Sequence, residues 1–177
     1  MRKYILSQTI YLLLFILFIT CKAAAQPVCQ IRHFSAYNGL AQRTVTNIVQ
    51  DSKGLIWFST WNGLNKFDGY TFKNYKAFPG DGCTLTTNRF SYITESKDGD
   101  IWCKSYDNRA YLFDIQTEKF IDILLPIESS LQQTNIVSNI YTLNKGITWI
   151  TCEQGYAFRI NEQTCKEGKD IILYSSF

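Results

Sequence analysis

One histidine and one methionine stand among 177 residues. A metal centre or nucleophilic triad built on imidazole has His33 alone to draw on, in "IRHFSAYNGL". None of the six cysteines forms a CxxC pair, and His33 alone cannot complete a set, so the spacing of a zinc site is missing. The acids are dispersed, and no convergent titratable set can be assembled. These absences argue against an enzyme, a cofactor and a metal. Past residue 25 no apolar run reaches the ~20 residues that span a bilayer as a helix. No amphipathic helix pattern of useful length occurs there either. Charge of one sign is also lacking. The 18 basic and 15 acidic residues include Arg2, Lys3 and Lys22, which lie in or beside an acid-free N-terminal segment. The remainder carries 15 of each, so no basic surface points to nucleic acid.

That N-terminal segment is the first positive feature. Arg2 and Lys3 give a cationic start, "IYLLLFILFI" over 10–19 an uncharged core, and Ala23 and Ala25 a small-residue exit. The order is that of a secretory signal peptide over residues 1–25, and it predicts an exported, periplasmic protein. Five cysteines remain beyond it: Cys29, Cys83, Cys103, Cys152 and Cys165. Export permits a disulfide, but the spacing predicts none, and they read as small buried apolar residues.

Tryptophans recur at Trp57, Trp102 and Trp149, in steps of 45 and 47 residues. "VQDSKGLIW", "TESKDGDIW" and "TLNKGITW" lead into them, and "LNKFD", "AYLFD" and "AFRIN" follow. Self-similarity at this period marks stacked supersecondary units. Within the first unit, "TVTNIVQ" and "LIWFST" read as strands rich in β-branched and aromatic residues. "LNKF" and "YTFKNY" complete four. Asn62-Gly63 predicts a type I′ hairpin between the second and third, and Asp68-Gly69 a tight turn after the third.

Four short antiparallel strands repeated every ~45 residues describe a propeller blade. The fold expected is therefore all-β, an incomplete β-propeller of about three four-stranded antiparallel blades preceded by a signal-peptide helix. The blades are assigned to residues 26–80 (with a leading strand), 81–128 and 129–177. Trp57, Trp102 and Trp149 hold one place in every unit, which predicts inter-blade core. Trp61 sits on a hairpin tip where the other units carry Asp107 and Gln154. The loop face of the blades presents Arg43, Trp61, Tyr106, Asn108, Arg109 and Gln154, and its amides, guanidinium and aromatics suit sugars by hydrogen bonding and stacking. Propellers close on four to eight blades, so three are expected to be part of a longer protein that supplies neighbours for the end sheets.

"NGLAQRTVTNIVQDSKGLIWFSTWNGLNKFDGYTFKNY", 38–75, resembles the two-component regulator propeller repeat, and in particular the opening repeat of the sensor region of Bacteroides-type hybrid two-component systems. The second unit departs from the pattern at Cys103 and Lys104 and lacks the hairpin glycine; the third keeps the Trp and Gly155. The resemblance implies a periplasmic sensor whose parent is a histidine kinase anchored in the inner membrane. It also implies an oligosaccharide ligand, control of glycan-utilisation genes, further blades or downstream sensor domains as partners, and a homodimer of the parent. The kinase domain is not in this chain. Two other readings stand beside it: a secreted structural or interaction protein that uses an open propeller arc, and a fragment of a propeller polysaccharide lyase.

Overall fold

The computed structural model describes residues 2–20, 30–78, 85–131, 134–143 and 145–175. Cys29, Cys83, Asn144 and the small-residue exit at 23–25 lie outside them. The chain divides into Met1–His33 and Phe34–Phe177. The first unit holds α1, Arg2–Thr20, whose side chains over 3–15 are exposed. No helix among the described residues is long and apolar enough to cross a membrane.

The second unit is three four-stranded antiparallel sheets, each in chain order. Blade 1 is β1 (Val45–Gln50), β2 (Ile56–Thr60), β3 (Gly63–Phe67) and β4 (Phe72–Tyr75). Blade 2 is β5 (Phe90–Glu95), β6 (Ile101–Ser105), β7 (Ala110–Asp114) and β8 (Lys119–Asp122). Blade 3 is β9 (Val137–Leu143), β10 (Ile147–Cys152), β11 (Tyr156–Asn161) and β12 (Ile171–Ser175). β1 abuts β5 and β5 abuts β9, so the first strands are the inner edges of neighbouring blades.

The repeat has a local cause at each turn. Asp68, Asp114 and Asn161 end the third strands, and each side chain accepts from the backbone two residues on: Tyr70 N at 2.8 Å, Gln116 N at 3.0 Å and Gln163 N at 3.1 Å. An Asx side chain that mimics a backbone turn is what this position needs. Hydrogen bonds from the Thr71 and Tyr70 amides hold the Asp68 carboxyl below the usual aspartate range.

Alternation along the strands gives every sheet two apolar faces, and one core forms at each joint. Between blades 1 and 2 lie Trp57, Leu64, Tyr75, Phe90, Ile93, Phe113 and Phe120. Between blades 2 and 3 lie Trp102, Leu112, Ile140, Ile150, Phe158 and Ile160. Trp57 is fully buried, stacked on Tyr75 and edge-on to Phe113 of the next blade, both at 5.9 Å between centroids. Trp102 is also fully buried. Trp149, expected in the core with them, is only half-buried. It lies against Tyr174 at 5.3 Å on the face turned away from Ile140 and Ile150. Trp57 and Trp102 point toward the following sheet, and the matching face of the third sheet exposes Tyr141, Leu143, Ile172 and Tyr174 beside Trp149.

The far face of blade 1 is covered by the chain ahead of it. Phe34 packs edge-on against Phe67 and Phe72 at 4.9 and 5.8 Å. Ser35 caps a short 3-10 turn, Ala36–Asn38. Ala41 N donates to the buried Asn65 Oδ1, and Asn74 Nδ2 to Gly39 O.

Three features besides Trp149 depart from expectation. The leading strand expected ahead of blade 1 is absent among the described residues, which hold only the 3-10 turn Ala36–Asn38 before β1. The Asn62-Gly63 turn is not type I′: only Gly63 has positive φ, 107°, and Thr60 pairs with Gly63 across Trp61 and Asn62. Thr60 Oγ1 instead accepts from Asn62 N and donates to Gly63 O. The link after blade 2 carries a helix, α2 (Leu125–Leu131). Asp122 accepts from Leu124 N and Leu125 N at its start, and Pro126 falls in the first turn, where an N–H has no helical partner.

Cys103, Cys152 and Cys165 are buried free thiols. Burial pushes the Cys103 thiol well above its ordinary value, and raises Cys152 and Cys165 to about 11. They pack as apolar residues.

Lys166, in the 3-10 turn of blade 3, reaches back to Asp100 and Asp114 of blade 2 at 2.7 and 3.1 Å. Burial opposes both charges. Lys166, with Gln116 N–H and Thr117, nevertheless holds Asp114 below the usual range, and the two carboxylates raise Lys166. A depressed carboxylate stabilises above its ordinary value and loses this as pH falls. A raised lysine stabilises below its ordinary value and loses this as pH rises. Lys166→Met should therefore cost ~1 kcal/mol at neutral pH. The wild-type advantage in urea midpoint should vanish in acid; an advantage undiminished in acid would show that the ion pair is not its source.

Candidate functional site

The hairpins joining second to third strands, with the links that lead into each first strand, form one end of the blades. Backbone bonds repeat there. Trp61 N donates to Thr44 O, Tyr106 N to Arg89 O and Glu153 N to Ile136 O. Thr44, Arg89 and Ile136 follow the same 45- and 47-residue steps as the tryptophans.

This register brings Trp61 and Tyr106 together. Their centroids are 5.9 Å apart at an interplanar angle of 81°, with Trp61 40% and Tyr106 54% exposed. The Arg89 guanidinium lies over the Trp61 ring, 5.6 Å from its centroid. A cation on an exposed aromatic face contributes ~0.5–1 kcal/mol. It also holds the ring upright on its turn, with one edge against tyrosine. Arg89 was not among the residues singled out from sequence. Its signal was present: one repeat step from Thr44 puts residue 89 beside the next hairpin tip.

The other candidates are placed differently. Arg43 is exposed just ahead of β1. Asn108 is in the left-handed region at φ 60°, its N–H on Ser105 O and its carbonyl accepting from Val137 N. It shapes the joint with blade 3. Gln154 Oε1 accepts from Ile136 N, and its amide reaches Thr134 O.

Arg109 is engaged within the protein. Its Nη2 bonds Asp122 Oδ2 at 2.7 Å and Glu128 Oε2 at 2.9 Å, and Nε adds a 3.0 Å bond to Asp122. Burial disfavours the guanidinium charge, but the two carboxylates outweigh that and raise it above the ordinary arginine value. Glu128 Oε1 also accepts from Asn135 N. The triad clamps α2 and the link to blade 3, so its role is architectural.

Beside the second hairpin a polar net ties the link that enters blade 2 to β6 and β7. Asp107 takes hydrogen bonds from Ser105 and Thr86, and Thr86 meets the Tyr111 hydroxyl at 2.9 Å. Burial raises Tyr111 above its ordinary value against the opposing bonds from Thr86. Among the described residues no cluster of histidine, cysteine, aspartate or glutamate could hold a metal ion. The arrangement that remains accessible is a pair of perpendicular aromatic faces flanked by a guanidinium. It can stack on a flat apolar ring face and donate hydrogen bonds beside it.

Residues 39–62, from the turn before β1 through the Trp61 hairpin, match the two component regulator propeller family. A stretch of 55 residues, 31% of this chain, is 44% identical to Histidine kinase P4 of Formosa agariphila. The extracellular domain of a hybrid two component system from B. thetaiotaomicron superposes with a TM-score of 0.52 over 76% of this chain at 20% identity. A second structure, described as the extracellular domain of a one component system from the same organism, gives 0.50 over 72% at 21% identity. At those identities the likeness is one of fold. The chain spans 4% of the kinase and 19% and 17% of the two extracellular domains.

Proposed function

We propose that this chain contributes ligand-sensing blades to an exported two-component sensor, and that an oligosaccharide is the ligand. The chain carries a two component regulator propeller repeat, and its fold is shared with the extracellular domain of a hybrid two component system. The observation that carries the ligand reading is the Trp61–Tyr106–Arg89 group. These are exposed aromatics on hairpin tips of adjacent blades, in contact with each other and with an exposed arginine. A pyranose offers one apolar ring face to an indole and a rim of hydroxyls to arginine and tyrosine. An acidic sugar adds a carboxylate that a guanidinium holds well.

The cationic start, apolar core and small-residue exit over 1–25 support a cleaved export signal and a periplasmic location, with the parent kinase anchored in the inner membrane. Genes for glycan breakdown are the proposed output. Further blades or sensor domains of the parent are the proposed partners, and the parent is proposed to act as a homodimer. The role proposed for these blades is binding without catalysis, since the accessible group lacks a paired acid and base.

Titration of the exported form with a panel of neutral and acidic oligosaccharides tests this, with product analysis in parallel. Binding without cleavage is expected. Trp61→Ala should weaken it about 10- to 100-fold, the loss of one buried aromatic anchor. Arg109→Met should leave it within about twofold if the protein stays folded, since that arginine acts inside the fold. Cleavage products would favour a lyase, and affinity unmoved by Trp61→Ala would remove this surface from the reading.

A further inference from the structure

The turn between first and second strands is built identically in blades 1 and 2, yet one side chain differs in a way that points to a ligand. In blade 1, Asp51 N donates to Leu55 O at 2.9 Å and Gly54 N to Asp51 O at 2.9 Å. In blade 2, 45 residues later, Ser96 N donates to Asp100 O at 2.8 Å and Gly99 N to Ser96 O at 3.1 Å. The turn glycines share positive φ, 86° and 89°. Strand register agrees as well: Val49 pairs Trp57, and Thr94 pairs Trp102.

In blade 1 the buried Asp51 carboxylate gathers three N–H donors. Oδ1 accepts from Lys53 N at 3.0 Å and Leu55 N at 2.8 Å, and Oδ2 from the Trp57 indole at 2.8 Å. Blade 2 keeps the donors and changes the acceptor. The 45-residue step and the matching register put Asp98 N and Asp100 N in the places of Lys53 N and Leu55 N, and Trp102 in the place of Trp57. The residue in the place of Asp51 is Ser96, whose hydroxyl is too short to reach across. Trp102 Nε1 and Ser96 Oγ are both buried, and neither has a hydrogen-bond partner. Ser96 is 5% exposed and Trp102 fully buried.

We propose that this turn of blade 2 binds a small inorganic anion of chloride size, which takes the acceptor role of the Asp51 carboxylate. The donor census selects an anion over water. By the repeat step, two backbone amides and an indole N–H are directed to the place the Asp51 carboxylate fills in blade 1, with the Ser96 hydroxyl as a fourth group. Water accepts about two hydrogen bonds, so even when it donates to Ser96 Oγ it leaves one of the three N–H donors unmet, whereas a halide accepts from all four groups. Successive backbone N–H groups in a turn form the concave amide surface on which anions settle.

The carboxylates nearby that are not exposed already have partners, and Asp98 is turned to solvent. Glu95 accepts from Ser52, Glu162 from Lys97 N and Thr148, and Asp100 from Ile115 N and Lys166. Lys97 supplies a cation at the rim of a 320 Å³ cavity beside the turn, lined also by Ser52, Glu95, Ser96, Thr142 and Leu143. That cavity is the path by which the ion enters.

Thermal unfolding of the full chain in halide and in gluconate at equal ionic strength tests the site. Chloride or bromide at tenfold excess over its Kd should raise the midpoint by about 4 °C. Ser96→Asp, which supplies the carboxylate, should abolish the halide dependence. Asp51→Ser should enlarge it by making blade 1 resemble blade 2. Crystals in bromide should show an anomalous peak within hydrogen-bond distance of Trp102 Nε1. The proposal is overturned by wild-type midpoints equal in halide and gluconate, or by a water in place of the bromide peak. The wild-type measurements decide it even if a variant fails to fold.

Discussion

Gly63→Ala should lower the stability of the propeller unit by about 3 kcal/mol, a large loss for one added methyl group. Two costs combine. At φ 107° an L-residue is strained, which costs ~1–2 kcal/mol. A Cβ there would also lie 2.4 Å from the Tyr75 carbonyl oxygen, with Lys76 Cβ at 3.2 Å. The obstacle is the backbone of β4, which cannot rotate aside, so sheet or hairpin must shift at a further ~1–3 kcal/mol. The shift would also disturb the 2.7 Å bond from Gly63 N to Asn88 O in the link to blade 2. Gly69 is the control. Its φ is 98°, but nothing lies within 4 Å of its missing Cβ. Gly69→Ala should carry only the backbone cost, ~1–2 kcal/mol. Urea unfolding of both variants separates the contributions, and equal losses would refute the steric account.

Trp57→Ala and Trp149→Ala change the same repeat position and should differ several-fold in cost. Trp57 is fully buried, touches Tyr75 and Phe113 across the joint, and satisfies Asp51. Its removal opens a cavity and strips the buried carboxylate of one donor, at ~4 kcal/mol. Trp149 is half-buried against Tyr174 on a face that nothing among the described residues covers. Its loss should cost ~1 kcal/mol. Chemical unfolding of the two variants under one condition measures the contrast. Costs within experimental error of each other would mean that the repeat position matters through its own sheet and not through the joint.

The strands, their order and their turns were legible because their causes are local. β-Branched runs make strands, Asp68, Asp114 and Asn161 close turns with their own side chains, and a step of ~45 residues repeats both. What escaped the sequence depends on partners distant along the chain. Asn62-Gly63 reads as type I′ when only the dipeptide is weighed. The carbonyl of Tyr75 and the hydroxyl of Thr60 impose another turn. The seven residues of α2 are too few to show a period, and its start rests on Asp122, which looks from sequence like the last residue of a strand. Arg109 reads as a free guanidinium until Glu128, nineteen residues on, is folded back against it. At the candidate site Trp61 and Tyr106 were each visible as aromatics on turns. Their contact, and the Arg89 guanidinium over the Trp61 ring, required the register of two blades.

The segment from Phe34 to Ala41 gives the array a polarity. Sheets stacked in a row draw stability from each neighbour. Blade 1 is held on both sides, by blade 2 and by its own leading chain. Blade 2 lies between two sheets. Among the described residues blade 3 packs on blade 2 alone, through Ile140, Ile150 and Phe158. Opening should therefore be graded along the stack, cheapest at β12 and dearest near Trp57. An event that seats anything on the blade 3 face would tighten the far end first and reach the Trp61 hairpin last.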